Sequence, residues 1–263
     1  MASRKPILVI AGVGNGLGKR TIFGRSREFA RLGHSVALIA RNGSSLKRAA
    51  EEIKNTGADA HAFPVSQYDH SEIQSVFHTI KKHWPDQEIR TAVWNAGHSV
   101  WKPFLETTED EIKESVGTNI VAPFAFARES IQSFKDLECV AITRVVKPND
   151  VGARGTLIFT SATAALRGNV MTSAMAAGKH GLRALAQSLN KEFGKQNIHV
   201  AHAIIDGVIL TDRTKQMKDE AWQLDPDARL DPQSIAKAYA YLAQQDRSAW
   251  TFELDLRPAH EKW

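Results

Sequence analysis

The chain has 263 residues, 43% hydrophobic and 24% charged, the make-up of a water-soluble protein long enough to bury a core without disulfides. Its formal charge is +5, but Lys and Arg are scattered among acids rather than gathered into a block, so a solvated basic surface is expected and nucleic acid is not expected as a partner. The single cysteine, Cys139, rules out an internal disulfide, no Cys/His cluster has zinc spacing, and no apolar run is long enough for a bilayer, so neither a metal nor a membrane is expected. Residues 1–6 lead straight into an apolar run and leave no room for a signal peptide, so a cytoplasmic location is expected.

Residues 6–11 form a continuous apolar run, the signature of a parallel strand buried on both faces. Gly12, Gly14, Gly16 and Gly18 follow, with Asn15 and Leu17 between them, and a helical pattern through Phe23, Arg27, Phe29, Ala30 and Leu32 stops at Gly33. Glycines between a first strand and a first helix let the backbone turn sharply and approach a pyrophosphate, whose charge then meets the free N–H groups of the helix start. A tight turn is the alternative, but the position between strand and helix favours a dinucleotide. The second strand, 35–40, ends in Ala40-Arg41-Asn42, where an NAD-binding protein usually carries an acid for the ribose 2′-hydroxyl. Alanine followed by arginine leaves room and charge for a 2′-phosphate, so NADP is preferred over NAD. Arg41 as a plain exposed loop cation stays open.

Helices near 43–56 and 70–83, a strand near 59–65 and a strand over 89–94 continue the alternation. Regular alternation with short links predicts an α/β fold: a single Rossmann-type doubly wound parallel sheet of about seven strands flanked by helices, over residues 1–263, with ligands beyond the carboxyl ends of the strands. The loop from Asn95 to Phe104, including Ala96, Gly97, His98 and Trp101, would then face the same crevice as the glycine loop. Residues 107–136 read as one helix carrying Asn119, kinked at Pro123, with Ile112, Val116, Ile120, Phe124 and Ala127 as its buried stripe. Residues 137–154 read as a long connection or insertion.

A fifth strand spans 156–160 and a helix 171–194, with Leu182, Leu185, Ala186, Leu189 and Phe193 facing inward. A sixth strand, 198–205, runs into Asp206 to Thr211. Residues 212–231 are polar and mixed and suit a helical lid over the substrate, a plain surface helix being the alternative. A helix over 232–245 and a strand over 250–256 complete the chain.

Taken together, Gly12, Gly16 and Gly18 in a Gly-x-x-x-Gly-x-Gly spacing, Asn95-Ala96-Gly97, Asn119 in a helix, Ser161 after a strand, Lys179, and Gly207 to Thr211 after the sixth strand resemble the classical short-chain dehydrogenase/reductase family over nearly the whole chain. The resemblance implies that the three glycines hold a pyrophosphate and that Asn95 and Gly97 lie by the adenosine. It implies that Ile209 and Thr211 meet the carboxamide side of the nicotinamide and that Lys179 grips its ribose. Ser161 would bond the substrate oxygen and Asn119 would hold a water in the proton relay. It also implies a homodimer or homotetramer joined through the helices 107–136 and 171–194.

The family's acid is a tyrosine four residues before the lysine, on the same helix face. Here that residue is Met175, a thioether with no proton to give. Three readings follow. The first is an NADP-dependent reductase acting on a small organic substrate that needs no phenol, such as an iminium or a conjugated alkene, or one in which His98, with Ser173 behind it, replaces the acid. A local hydrogen bond is the competing role for His98. Ser161 suits a substrate anchor rather than a nucleophile, since no His/Asp pair is set beside it. The second reading is a non-redox cyclase or isomerase, and the third a subunit that binds NADP without turnover.

Overall fold

The computed structural model describes residues 5–13, 18–137 and 152–261, and of 18–23, 212 and 213 it describes the backbone only. Gly14, Asn15, Gly16 and Leu17, Cys139 and most of the 137–154 connection lie outside the described residues.

Seven strands form one sheet of parallel neighbours: β1 (Pro6–Ala11), β2 (Ser35–Ala40), β3 (Ala60–Pro64), β4 (Glu88–Trp94), β5 (Gly155–Ser161), β6 (Ile198–Ile205) and β7 (Glu253–Leu256), in the order β3-β2-β1-β4-β5-β6-β7. Every residue of β2 and β6 is buried, as the continuous apolar runs require when both faces are covered. Alternate residues divide between two cores. Ile7, Val9 and Ala11 meet α3 (His70–His83), α5 (Ala122–Lys135) and α6 (Ser173–Phe193), while Leu8 and Ile10 meet α1 (Gly18–Arg31), α2 (Gly43–Lys54) and α9 (Pro232–Gln244). The strand order reverses between β1 and β4, which opens a crevice beyond their carboxyl ends.

The helix expected over 107–136 is three pieces: α4 (Glu109–Val116), a π-helical turn (Gly117–Val121) and α5. Pro123 has no N–H, so the Asn119 carbonyl loses its α-helical donor, and the backbone widens instead, with the Ala122 N–H bonding Gly117 O. The expected buried stripe needs correction. Ile112, Val116 and Phe124 are exposed, and the buried face is Ser115, Thr118, Asn119, Ala122, Ala125, Phe126 and Ala127. The extra residue in the wide turn shifts the phase that a 3.6-residue repeat assumes. Among the described side chains of α1 the buried cation is Arg25, whereas Arg27 is exposed. The last strand is shorter than expected, beginning at Glu253.

Residues 212–231 contain α7 (Asp212–Met217), α8 (Glu220–Leu224) and a 3-10 turn (Pro226–Ala228). Both ends are tethered: Leu230 N–H bonds Val208 O at 2.9 Å and Leu210 N–H bonds Leu230 O at 3.1 Å. Among the described residues no helix is long and apolar enough to cross a membrane.

Candidate active site

Gly12 ends β1 with φ +97°, a conformation that favours glycine, and a Cβ there would stand 2.2 Å from Ala96 N. The first glycine therefore lets the β1 and β4 loops touch. Asn95 locks this contact, since its backbone N–H bonds Ala11 O at 2.9 Å and its Nδ2 donates to Gly12 O at 3.3 Å. Arg25, fully buried on α1, donates from Nη1 to Asn95 Oδ1 at 2.7 Å and lies over the Tyr239 ring at 3.7 Å. Its Nε and other terminal nitrogen are buried without partners, and burial pushes the guanidinium below its ordinary range. The glycine contact and the Arg25–Asn95 bond hold the carboxyl ends of β1 and β4 against each other.

The second group gathers at the ends of β4 and β5. Asn119, fully buried in the wide turn, donates from Nδ2 to His98 O at 2.7 Å and to Ser115 Oγ at 3.1 Å, and its Oδ1 accepts from His98 N–H at 3.2 Å. Lys179 reaches back from α6 and donates from Nζ to Thr160 O at 3.3 Å. A Cβ on Gly97 would sit 3.3 Å from Lys179 Nζ and 3.4 Å from Asn119 Oδ1, so glycine there leaves room for both. Burial lowers the Lys179 ammonium to about 8. His202, buried on β6 and bonded through Nδ1 to Glu253 Oε2 at 3.1 Å, is pushed down to about 4, first by burial. Glu253 in turn holds Arg183 in a two-pronged pair at 2.6 and 2.8 Å.

Ser161 ends β5 with its hydroxyl buried and unbonded. Met175 is half-buried, one turn before Lys179 on α6, and Ser173 is exposed at the helix start. Of the three tyrosines, Tyr239 is hydrogen-bonded through its hydroxyl to Thr160 Oγ1 at 2.9 Å, either oxygen serving as donor, and is raised by burial, while Tyr68 is pushed up to about 12 and packs against Trp94. Tyr241 is exposed on α9. His98 directs Nδ1 to Glu114 Oε1 at 3.3 Å. Arg41 stands half-exposed after β2, 3.4 Å from the same Glu114 oxygen.

Ile209 is buried and bridged to Leu230. Thr211 caps α7, accepting from Thr214 N–H at 3.1 Å. Asp206 accepts a hydrogen bond from Thr163 and pairs with Arg257 at 3.4 Å. Lys102 N–H bonds the carbonyl of Met171, whose φ is +63°, at 3.0 Å and so ties the loop after β4 to the loop after β5. A separate hollow lined by Asn190, Asn197, Asp246 and Arg247 lies at the opposite, amino end of β6 and β7.

Sequence reasoning missed Arg25, Thr160, Tyr239 and Glu114. An arginine inside an otherwise apolar helix face was the available signal for the first; the others depend on contacts between segments distant in the chain.

The family model for short chain dehydrogenases matches residues 6–222, and the chain belongs to that family of oxidoreductases. It is 25% identical over 214 residues to the human 3-oxoacyl-[acyl-carrier-protein] reductase, covering 81% of this chain and 80% of that protein. Among solved structures, a short-chain dehydrogenase from Rhodopseudomonas palustris is 30% identical with a TM-score of 0.73, covering 96% of this chain and 98% of that one. An alcohol dehydrogenase from Thermococcus sibiricus, solved with 5-hydroxy-NADP, shares the fold at 18% identity and a TM-score of 0.77, covering 98% and 99%.

Proposed function

We propose that the protein is an NADP-dependent oxidoreductase that transfers hydride to a small organic substrate without a tyrosine acid. The observation that carries this reading is the meeting of Gly97, Asn119 and Lys179 at the ends of β4 and β5, beside the Gly12–Asn95–Arg25 contact. Gly12, Gly16 and Gly18 hold the pyrophosphate, with Asn15 and Leu17 in the same loop. Asn95, Ala96 and Gly97 lie along the adenosine side, and Arg41 takes the 2′-phosphate. Lys179 grips the nicotinamide ribose, with Ile209 and Thr211 at the carboxamide. When bound, the nicotinamide supplies the hydride.

The proton is the distinctive part. Met175 offers none, and the imidazole of His98 is directed at Glu114. Acceptors that carry their own positive charge, or conjugated alkenes protonated from water, fit this site better than simple ketones. Ser161 anchors the substrate, and Asn119 fixes the His98 loop and a relay water. Exposed Trp101, Phe104 and Val170 around the two tethered loops favour a substrate with an apolar face, closed over by residues 212–231. Exposed Ile112, Val116 and Phe124 on α4 and α5 suit a homodimer or homotetramer, measurable by light scattering.

Titration of NADPH and NADH, followed by NADPH consumption with ketones, iminium salts and enones, tests the reading. NADPH binding with turnover of iminium salts or enones supports it. Failure to bind either dinucleotide sinks it. NADPH binding without any turnover points to a binding subunit, the role that loss of the phenol favours. Met175→Tyr should raise ketone reduction by about 10²–10⁴-fold, the usual worth of a positioned acid.

A further inference from the structure

Arg41 has a resident partner. Its guanidinium lies 5.6 Å from the Tyr68 ring, with Nη1 3.4 Å from Glu114 Oε1 on α4, and that same oxygen is 3.3 Å from His98 Nδ1. Two segments thus converge on one carboxylate of α4: the end of β2 and the loop after β4. A carboxylate oxygen presents to a guanidinium the charge and hydrogen-bond geometry of a phosphate oxygen. A phosphate that takes this guanidinium nitrogen of Arg41 therefore competes with Glu114 for it.

We propose that Glu114 is a specificity-determining residue of the dinucleotide site, an internal substitute for the 2′-phosphate at Arg41 that the ligand's phosphate displaces. The proposal rests on the reading of Arg41 as the 2′-phosphate residue. Displaced, Glu114 retains His98, so the adenosine end and the substrate loop share one carboxylate. A ligand lacking the 2′-phosphate gives Glu114 no competitor and leaves the Arg41 pair closed. The loop does not depend on Glu114 alone, because Lys102 pairs with Glu111 on α4 at 2.6 Å. Glu111 also closes a capping box with Thr108 at the start of α4, so the helix stands without the Glu114 charge.

The test uses two probes that differ only in the phosphate, adenosine 2′,5′-bisphosphate and adenosine 5′-monophosphate, titrated calorimetrically into the full chain, Glu114→Gln, Arg41→Ala and the double variant. Arg41 and Glu114 are both half-exposed, so removing the competing carboxylate should tighten the bisphosphate by about two- to five-fold and leave the monophosphate unchanged. Arg41→Ala should weaken the bisphosphate alone, and the double variant should match Arg41→Ala, because Glu114 acts only through the arginine. Unchanged or weaker bisphosphate binding by Glu114→Gln overturns the proposal, as does tightening that persists without Arg41. In either case the reading of Arg41 stands as long as Arg41→Ala is selective for the bisphosphate. If Arg41→Ala is not selective, that reading fails and the role of Glu114 falls with it.

Discussion

Replacing Lys179 by methionine should make the ligand-free protein more stable at neutral pH, and the advantage should fade as the solution becomes alkaline. Lys179 is 8% exposed, its ammonium donates to the Thr160 carbonyl, and burial lowers it from the ordinary 10.5 to about 8. That gap corresponds to on the order of 3 kcal/mol against the charged form. Below pH 8 both the folded and the unfolded chain hold the proton, and the whole penalty is present. Between about 8 and 10.5 the unfolded chain holds the proton and the folded chain has lost it, so stability rises with pH. Above that window the penalty is gone. His202 does not blur this profile, because it is already neutral above about 4. The lost bond to Thr160 offsets roughly 1 kcal/mol of the gain. Urea unfolding of both proteins without ligand, at pH 7 and pH 10, measures the difference. Parallel pH profiles would refute the account of Lys179 as a buried, uncompensated cation.

Gly12→Ala should cost at least about 1–2 kcal/mol from its left-handed backbone alone and more from the collision with Ala96, and it should abolish dinucleotide binding; urea unfolding and fluorescence titration report the two effects. Asn119→Ala removes the donor and acceptor that hold both sides of the His98 peptide and should destabilise the fold by about 1–3 kcal/mol. Its amide exchange should rise first in the loop after β4, and equal exchange there in both proteins would count against Asn119 as the fastener.

The sheet was legible because each of its features is local. Apolar runs such as 6–11 and 198–205 announce strands buried on both faces, and the glycines and short links between elements dictate parallel crossovers. Asn119 and Lys179 were legible as site residues through a resemblance, although neither position shows from its own surroundings in the chain that they converge at Gly97. What escaped was phase and partnership. The inward face of residues 107–136 could not be inferred from a 3.6-residue repeat, because the repeat is broken at the wide turn. Arg25 stands on an otherwise apolar face of its helix, a hint of burial that the stacking of Tyr239 and the approach of Asn95 complete. Arg41 was legible as a cation in the right place, and its pairing with Glu114 was not, since 73 residues separate them in the chain.

The wide turn at Gly117–Val121 also limits how this stretch of sequence can change length. Upstream, Ser115 donates to Ala174 O at 3.1 Å, and within the turn Asn119 grips the loop at His98; downstream, Phe126 and Phe134 fill the core against the sheet. An ordinary helix with one residue fewer would turn everything after the deletion by about 100° relative to everything before it. Asn119 and Phe126 could then no longer face their present partners together. The bulge works as a fixed rotary offset between the reactive end of the helix and its structural end, so a one-residue deletion there should be tolerated less well than a conservative substitution at any single position within it.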